Sequence, residues 1–402
     1  MTIRRIVLVM LVLVGITGLG NSVVHAAGWC VHPAGAGRCF ASIQAAVDAA
    51  DDGDRISIRA GRYIEQITII DKDLTLIGQS GAVIQATPDM EDTLSAVAGV
   101  AGRPIILVTD AEVTLRDLTI DGANSAEQNE FLEGIAFINA GGVIRENLVK
   151  DIGFGEPRLP IVDGQPRYQG DGILVVNFAA TPRIVTIAEN RVVNFNSNGI
   201  TVFAQADAND PTIANLTAHV VDNTVIALGP NDVIDQWGIY FAGFGFANPQ
   251  FSITGTLRGN RVRDQVTTSP HPLPGIAIVT INTYNVEIAD NVIENVNVAL
   301  AANQAFNGQI LHNQIGGPRQ DVTGATGLLL SGNGIQVAEN RFKKLEVGIL
   351  LFVEDFNFGS ALNTAMEENR FDNVALDVIT GPGSSSALTA RTPLIQPKLW
   401  PR

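Results

Sequence analysis

The strongest constraint on the fold is a self-similarity along the chain. An acidic or polar residue followed by asparagine recurs as "REN" at Asn147, "AEN" at Asn190, "VDN" at Asn223, "RGN" at Asn260, "ADN" at Asn291, "LHN" at Asn313, "AEN" at Asn340 and "EEN" at Asn369. The intervals are 43, 33, 37, 31, 22, 27 and 29 residues. After most of them comes a small residue with an apolar pair: "DGILV", "NGITV", "WGIYF", "PGIAI", "TGLLL" and "VGILL". A floor near 22 residues with elastic spacing above it describes a solenoid whose coils carry loops of different length.

Two solenoids place asparagine at such a turn. Val185, Ile187, Asn190 and Val192 fit a leucine-rich frame. Against it stand the Val and Ile bias, the second Gly-Ile strand in each repeat and the variable gap. A right-handed parallel β-helix accounts for all three, because each coil holds three short strands and any turn can bulge into a loop. Coils stack about 4.8 Å apart, so equivalent side chains form columns. Stacked asparagines can donate and accept from coil to coil, and asparagine also tolerates the left-handed conformation that a sharp turn needs.

The expected organisation has four parts. Residues 1–26 read as a signal peptide, with Arg4 and Arg5 ahead of an apolar run and a small-residue cleavage site at Ala26. Residues 27–54 hold a cysteine pair and a capping helix, in which Ser42 caps and Ile43, Ala46, Val47 and Ala50 share a face. Residues 55–380 form the β-helix, and residues 381–402, rich in Pro and Ser, a loosely docked tail.

Export and charge limit the partners. Loss of Arg4 and Arg5 leaves 24 basic against 41 acidic side chains, a net charge of −17 that disfavours nucleic acid and anionic membranes. The expected location is secreted or periplasmic, with no membrane insertion after cleavage and a monomeric state. In an oxidising compartment the two cysteines, Cys30 and Cys39, should join; a metal or catalytic pair is the alternative, but neither sits in such a motif.

The segments around Cys30 and Cys39-Phe40, "SIQAAVDAA", "DGDRISIRAGRYIE" and "LTLIG" resemble the start of exported right-handed β-helix proteins of the pectin-lyase-like superfamily. The resemblance covers nearly the whole mature chain as fold and implies no single activity, since the superfamily holds lyases, hydrolases, esterases, epimerases and noncatalytic proteins. "GRYIE" is similar to the opening of pectin methylesterases. Their catalytic elements find only misordered echoes in "EDTL", "AGRPI" and "DFNFG", with Asp92 and Asp355 about nine coils, or roughly 40 Å, apart. An esterase is therefore disfavoured. The polygalacturonase and pectate-lyase motifs are missing too.

Position then identifies candidates. Insertions gather at the turn before the Gly-Ile strand, at Phe154 to Gly170, Leu228 to Gln236, Gln265 to Pro274 and Gly316 to Thr326, and would wall a groove along one edge. They and the strands beside them supply Asp171, Asp235 and His271 as catalytic candidates, and Arg158, Arg167, Tyr168, Asp232, Trp237 and Tyr240 as substrate contacts. Aromatic rings beside carboxylates suit sugar stacking and acid–base work on a glycan. The alternative for these residues is a set of solvated loops with aromatics packed beneath. Acids before the asparagines, Glu146, Glu189, Asp222, Asp290, Glu339 and Glu368, read as a solvated charge ladder, with a Ca2+-binding stripe as the alternative. No other cofactor is indicated. The expected function is binding of a polysaccharide, with cleavage or modification by a lyase, epimerase or hydrolase; the rival is a noncatalytic envelope or surface protein.

Overall fold

The structure, a computed structural model, describes residues 27–95, 101–156, 161–162, 165–166, 170–205, 216–244, 253–268, 274–319, 323–351, 361–380 and 386–388. The expected signal peptide lies outside them. Almost every strand is short and pairs in parallel with the equivalent strand one coil away. Three faces result, as the interval pattern requires. The first runs through Arg103–Thr109, Leu132–Ile138, Ile173–Asn177, Asn198–Gln205 and Trp237–Phe244. The second runs through Glu112–Arg116, Gly141–Arg145, Arg183–Ala188 and Leu216–Val221, and the third through Thr119–Asp121, Leu148–Ile152, Arg191–Phe195 and Thr224–Ile226. This is a right-handed parallel β-helix.

The core is the inner column of each face. Ile135, Ile173, Ile200, Ile239 and Ile278 stack in register on the first face and are fully buried. One position before them only small residues fit. A Cβ on Gly172 would stand 2.6 Å from the carbonyl oxygen of Gly199, and one on Gly199 2.7 Å from that of Gly238. That close approach explains the Gly-Ile signature. The register also shifts "PGIAI" by two residues, since Ala277 and not Gly275 stands opposite Gly238.

The asparagine column forms as expected. From Asn147 to Asn369, each side-chain amide donates to the Oδ1 of the next asparagine at 2.9–3.1 Å. Each also donates to a backbone carbonyl, as Asn291 does to Leu257 at 2.8 Å. The left-handed conformation, however, belongs to the preceding residue. Glu146, Glu189, Asp222, Asp290, His312, Glu339 and Glu368 have φ between 50 and 57°, and Gly259 has 67°. The asparagines need ordinary backbone geometry to aim their amides inward, so the turn is made one residue earlier. The acidic column therefore holds the turn's strained position and faces water, where Arg145 reaches Glu189 at 2.8 Å and Arg258 reaches Asp290 at 2.9 Å.

The N-terminal cap agrees with expectation in detail. The helix Ile43–Ala49 buries Ile43, Ala46 and Val47, and Ser42 accepts from the Ala45 amide at 3.2 Å. Glu65 adds a carboxylate to that helix N-terminus, accepting from the amides of Ile43 and Gln44 at 3.0 and 3.1 Å. Tyr63 donates to the Arg59 carbonyl at 2.9 Å. The "GRYIE" segment thus serves the cap. Cys30 and Cys39 are joined by a disulfide. At the other end, Ser386–Leu388 pairs in parallel with the strand Thr364–Glu367, so the sheet continues into the segment expected to be tail. Among the described residues, no helix is long and apolar enough to cross a membrane.

Candidate functional site

Insertions occur at two of the three turns. Long connections precede first-face strands, as between Ile226 and Trp237, but others follow them, between Gln205 and Leu216 and between Phe244 and Ile253. The expectation of a single insertion edge is corrected accordingly. The reason lies in the asparagine column: only the turn between second and third faces carries this unbroken buried ladder, which an insertion would interrupt. Both edges of the first face are free to lengthen.

The outer side of the first face is mostly apolar. One outward column reads Leu107, Ala136, Leu174, Thr201, Tyr240, Val279 and Ala301; the other reads Pro104, Glu133, Asp171, Asn198, Trp237, Ile276 and Val298. Leu107, Ala136, Ile138 and Val176 cluster with Leu94 on this outer side. Polar and aromatic side chains therefore concentrate in four successive coils: Glu133, Asp171, Asn198 with Thr201, and Trp237 with Tyr240.

These residues contact one another. The Asp171 amide donates to Glu133 Oε2 at 3.0 Å. Asp171 accepts from the Asn198 amide at 3.0 Å and from the Thr201 hydroxyl at 2.7 Å. Trp237 and Tyr240 lie with ring centroids 5.2 Å apart and planes tilted by 47°. Three of the sequence candidates, Asp171, Trp237 and Tyr240, are thereby brought to one place.

The two carboxyls differ in electrostatics. Burial, reinforced by the Asp171 charge, pushes Glu133 well above the usual carboxylate range, against the hydrogen bond from the Asp171 amide. Burial also raises Asp171, but hydrogen bonds from Thr201, Asn198 and Ser197 favour its charged form. Tyr240 is pushed up to about 12 by burial and by Asp171, so its phenol stays neutral. Glu133 as proton holder beside Asp171 as anion can supply acid–base chemistry.

Two further candidates stand in the connection before Trp237. Asp235 lies two residues ahead of Trp237 in the preceding connection and is 6% exposed, and Asp232 is exposed in the same connection. Arg158, Arg167, Tyr168 and His271 lie outside the described residues. Glu133 was missed, although "EGIAF" belongs to the Gly-Ile series and would have revealed it. Among the described residues, no group of three or more His, Cys, Asp or Glu side chains is placed to hold a metal ion.

No family model matches the chain, and no curated protein matches it by sequence. Solved structures do match in fold. The native GH136 lacto-N-biosidase from Eubacterium ramulus aligns with TM-score 0.57 at 12% identity, over 90% of this chain and 68% of that one. Its selenomethionine derivative aligns with TM-score 0.56 at 13% identity, over 90% of this chain and 66% of that one. This chain thus spans about two thirds of the length of those structures. A polygalacturonase from Erwinia carotovora ssp. carotovora aligns at 12% identity with TM-score 0.43, over 93% of this chain and 97% of that one. The likeness to the lacto-N-biosidase structures, together with the parallel pairing, establishes the right-handed parallel β-helix fold.

Proposed function

We propose that this protein binds a polysaccharide across the outer first face and cleaves its glycosidic bonds with Glu133 as general acid and Asp171 as general base or nucleophile. The observation that carries this reading is the gathering of Glu133, Asp171, Trp237 and Tyr240, with Asn198 and Thr201 between them, on a face mostly lined by apolar side chains. Two carboxyls whose environments differ are what glycoside hydrolysis requires, one protonated and one charged. Trp237 offers a ring for a sugar face, and the neutral Tyr240 phenol can donate to a hydroxyl. The matched lacto-N-biosidase is by its name a carbohydrate-active enzyme, which supports the ligand class. The long connections on both edges are read as groove walls. The Cys30–Cys39 disulfide supports a secreted or periplasmic location.

A second reading has its own support. Asp171 already accepts hydrogen bonds from Asn198 and Thr201 in the next coil, as a carboxylate with a holding role would. A noncatalytic glycan binder would need nothing more. The test is release of reducing ends from a polysaccharide panel, with and without calcium. Turnover that falls by about 10²-fold or more in Glu133→Gln and in Asp171→Asn, with binding kept, supports the enzyme. Binding without turnover in the native protein overturns it in favour of the second reading.

A further inference from the structure

The strand Ile276–Ala289 crosses from the first face to the second, turning at Asn282 and Asn285, with φ of 51 and 53°. Tyr284 stands on this turn and is 40% exposed, the one aromatic among the exposed large apolar side chains of the described residues. Its register partner in the next coil is Phe306, and the two rings stack with centroids 6.5 Å apart and planes 29° from parallel. Asn307 donates from Nδ2 to the Tyr284 hydroxyl at 3.1 Å.

Among the described residues, the polar groups beside this pair are amides. The left-handed positions of the turn are Asn285, Asn307, Gly334 and Asn363, and Asn363 donates to Asn333 Oδ1 at 2.9 Å. Left-handed geometry alone does not demand amides. On the opposite turn the same geometry is met by Glu146, Glu189, Asp222 and Asp290, and nearer the N-terminus by Asp71 and Asp110. Elsewhere the chain fills left-handed positions with charged residues as well as with asparagines such as Asn139, Asn194 and Asn295, whereas beside its exposed aromatic pair they are all neutral.

We propose that Tyr284, Phe306 and the amides of Asn285, Asn307 and Asn333 form a second carbohydrate platform, one that takes an uncharged polysaccharide. Aromatic faces pack on the C–H side of a sugar ring, and carboxamides both donate to and accept from hydroxyls. A neutral polymer also escapes the repulsion that a chain of net charge −15 exerts on polyanions. From Val279, the register partner of Tyr240, five residues lead to Tyr284, at most about 17 Å along the strand. The two aromatic pairs are therefore separate contacts that a polymer could join. The proposal shares its ligand class with the proposed function but not its residues, so the two can fail separately.

The test is affinity electrophoresis of the full mature protein in gels containing arabinoxylan, mixed-linkage β-glucan or galactomannan, with polygalacturonate as the charged comparison. It is run in the Trp237→Ala background, which removes the first platform. Retardation by at least one neutral polymer is expected to persist in Trp237→Ala and to weaken about tenfold when Tyr284→Ala is added. Tyr284→Phe should keep most of it, and Asn307→Asp should reduce it without affecting circular dichroism. Loss of all retardation in Trp237→Ala alone overturns this platform while leaving the Asp171 site standing. Indifference to Tyr284→Ala overturns it as well, as does retardation by polygalacturonate alone.

Discussion

Asp171 is joined to Glu133 across one coil step by a 3.0 Å hydrogen bond from its own amide to Glu133 Oε2. The bond fixes one acid against the backbone of the other; burial, reinforced by the Asp171 charge, lifts Glu133 out of the usual carboxylate range. Asp171 escapes part of this penalty by accepting from Asn198 and Thr201 one coil further on. The same relationship that suits chemistry should thus leave a mark on stability.

The sign follows from proton binding. A carboxyl with a raised folded-state pKa holds a proton that the unfolded chain has released. Stability is therefore full below the ordinary glutamate range, about pH 4, and is lost as pH rises toward the folded value. Glu133→Gln removes that loss and can still accept from the Asp171 amide. The variant's melting temperature, measured against the native protein, should gain as pH rises above about 4, until the folded value is passed. A difference that stays constant over this range would show that Glu133 is not shifted. Asp171→Asn, by contrast, puts an amide donor against the donors of Asn198 and Thr201 and should melt lower at neutral pH.

The asparagine column should behave as a chain of obligatory contacts. Asn291 is fully buried, gives its amide to Leu257 and Asn313, and accepts from the amide nitrogens of Asn260 at 2.9 and 3.0 Å. Asn291→Ala leaves those donors unmatched and should cost about 1–3 kcal/mol. Gln314→Ala, at an exposed position in the next coil, should cost within about 0.5 kcal/mol. Chemical denaturation of the two variants compares them, and equal losses would remove the column from the account of stability.

The disulfide closes a loop with a sequence separation of 9 residues. The chain-entropy argument gives about 2.5–3 kcal/mol for so short a ring. Intact mass should fall by about 2 Da relative to the reduced protein (two hydrogens lost in forming the S–S bond), and a Cys30→Ala, Cys39→Ala double variant should unfold at lower denaturant. Two free thiols in protein kept under oxidising conditions would contradict the pairing.

The coil and its column were legible in the sequence because Asn147 to Asn369 recur at a fixed place in successive repeats, and a buried ladder tolerates no insertion. The capping helix was legible for a similar reason, since Ser42 and the apolar face of Ile43, Ala46 and Val47 are local signals. The site was only half legible. Asp171, Trp237 and Tyr240 stand beside Gly-Ile strands, but which side chains meet depends on register between coils 22 to 43 residues apart. Glu133 stands 38 residues before Asp171, and only the parallel pairing of their strands makes them neighbours. The left-handed acid column was misassigned because an Asn is the usual occupant of that geometry, and nothing local says that its neighbour bends instead.

The account's central claim is that a polysaccharide seats on Trp237 and Tyr240 above Asp171. Trp237 is half-buried and outward, in contact with Tyr240, so its removal should leave the coil intact. The most direct measurement is the binding isotherm of the native protein, Trp237→Ala and Tyr240→Ala for a polysaccharide that the native protein binds, with circular dichroism recorded on the same samples. The account predicts that both substitutions weaken binding about tenfold or more, which is about 1.4 kcal/mol each, while native spectra and a cooperative melt are retained. Undiminished affinity in both folded variants would contradict it.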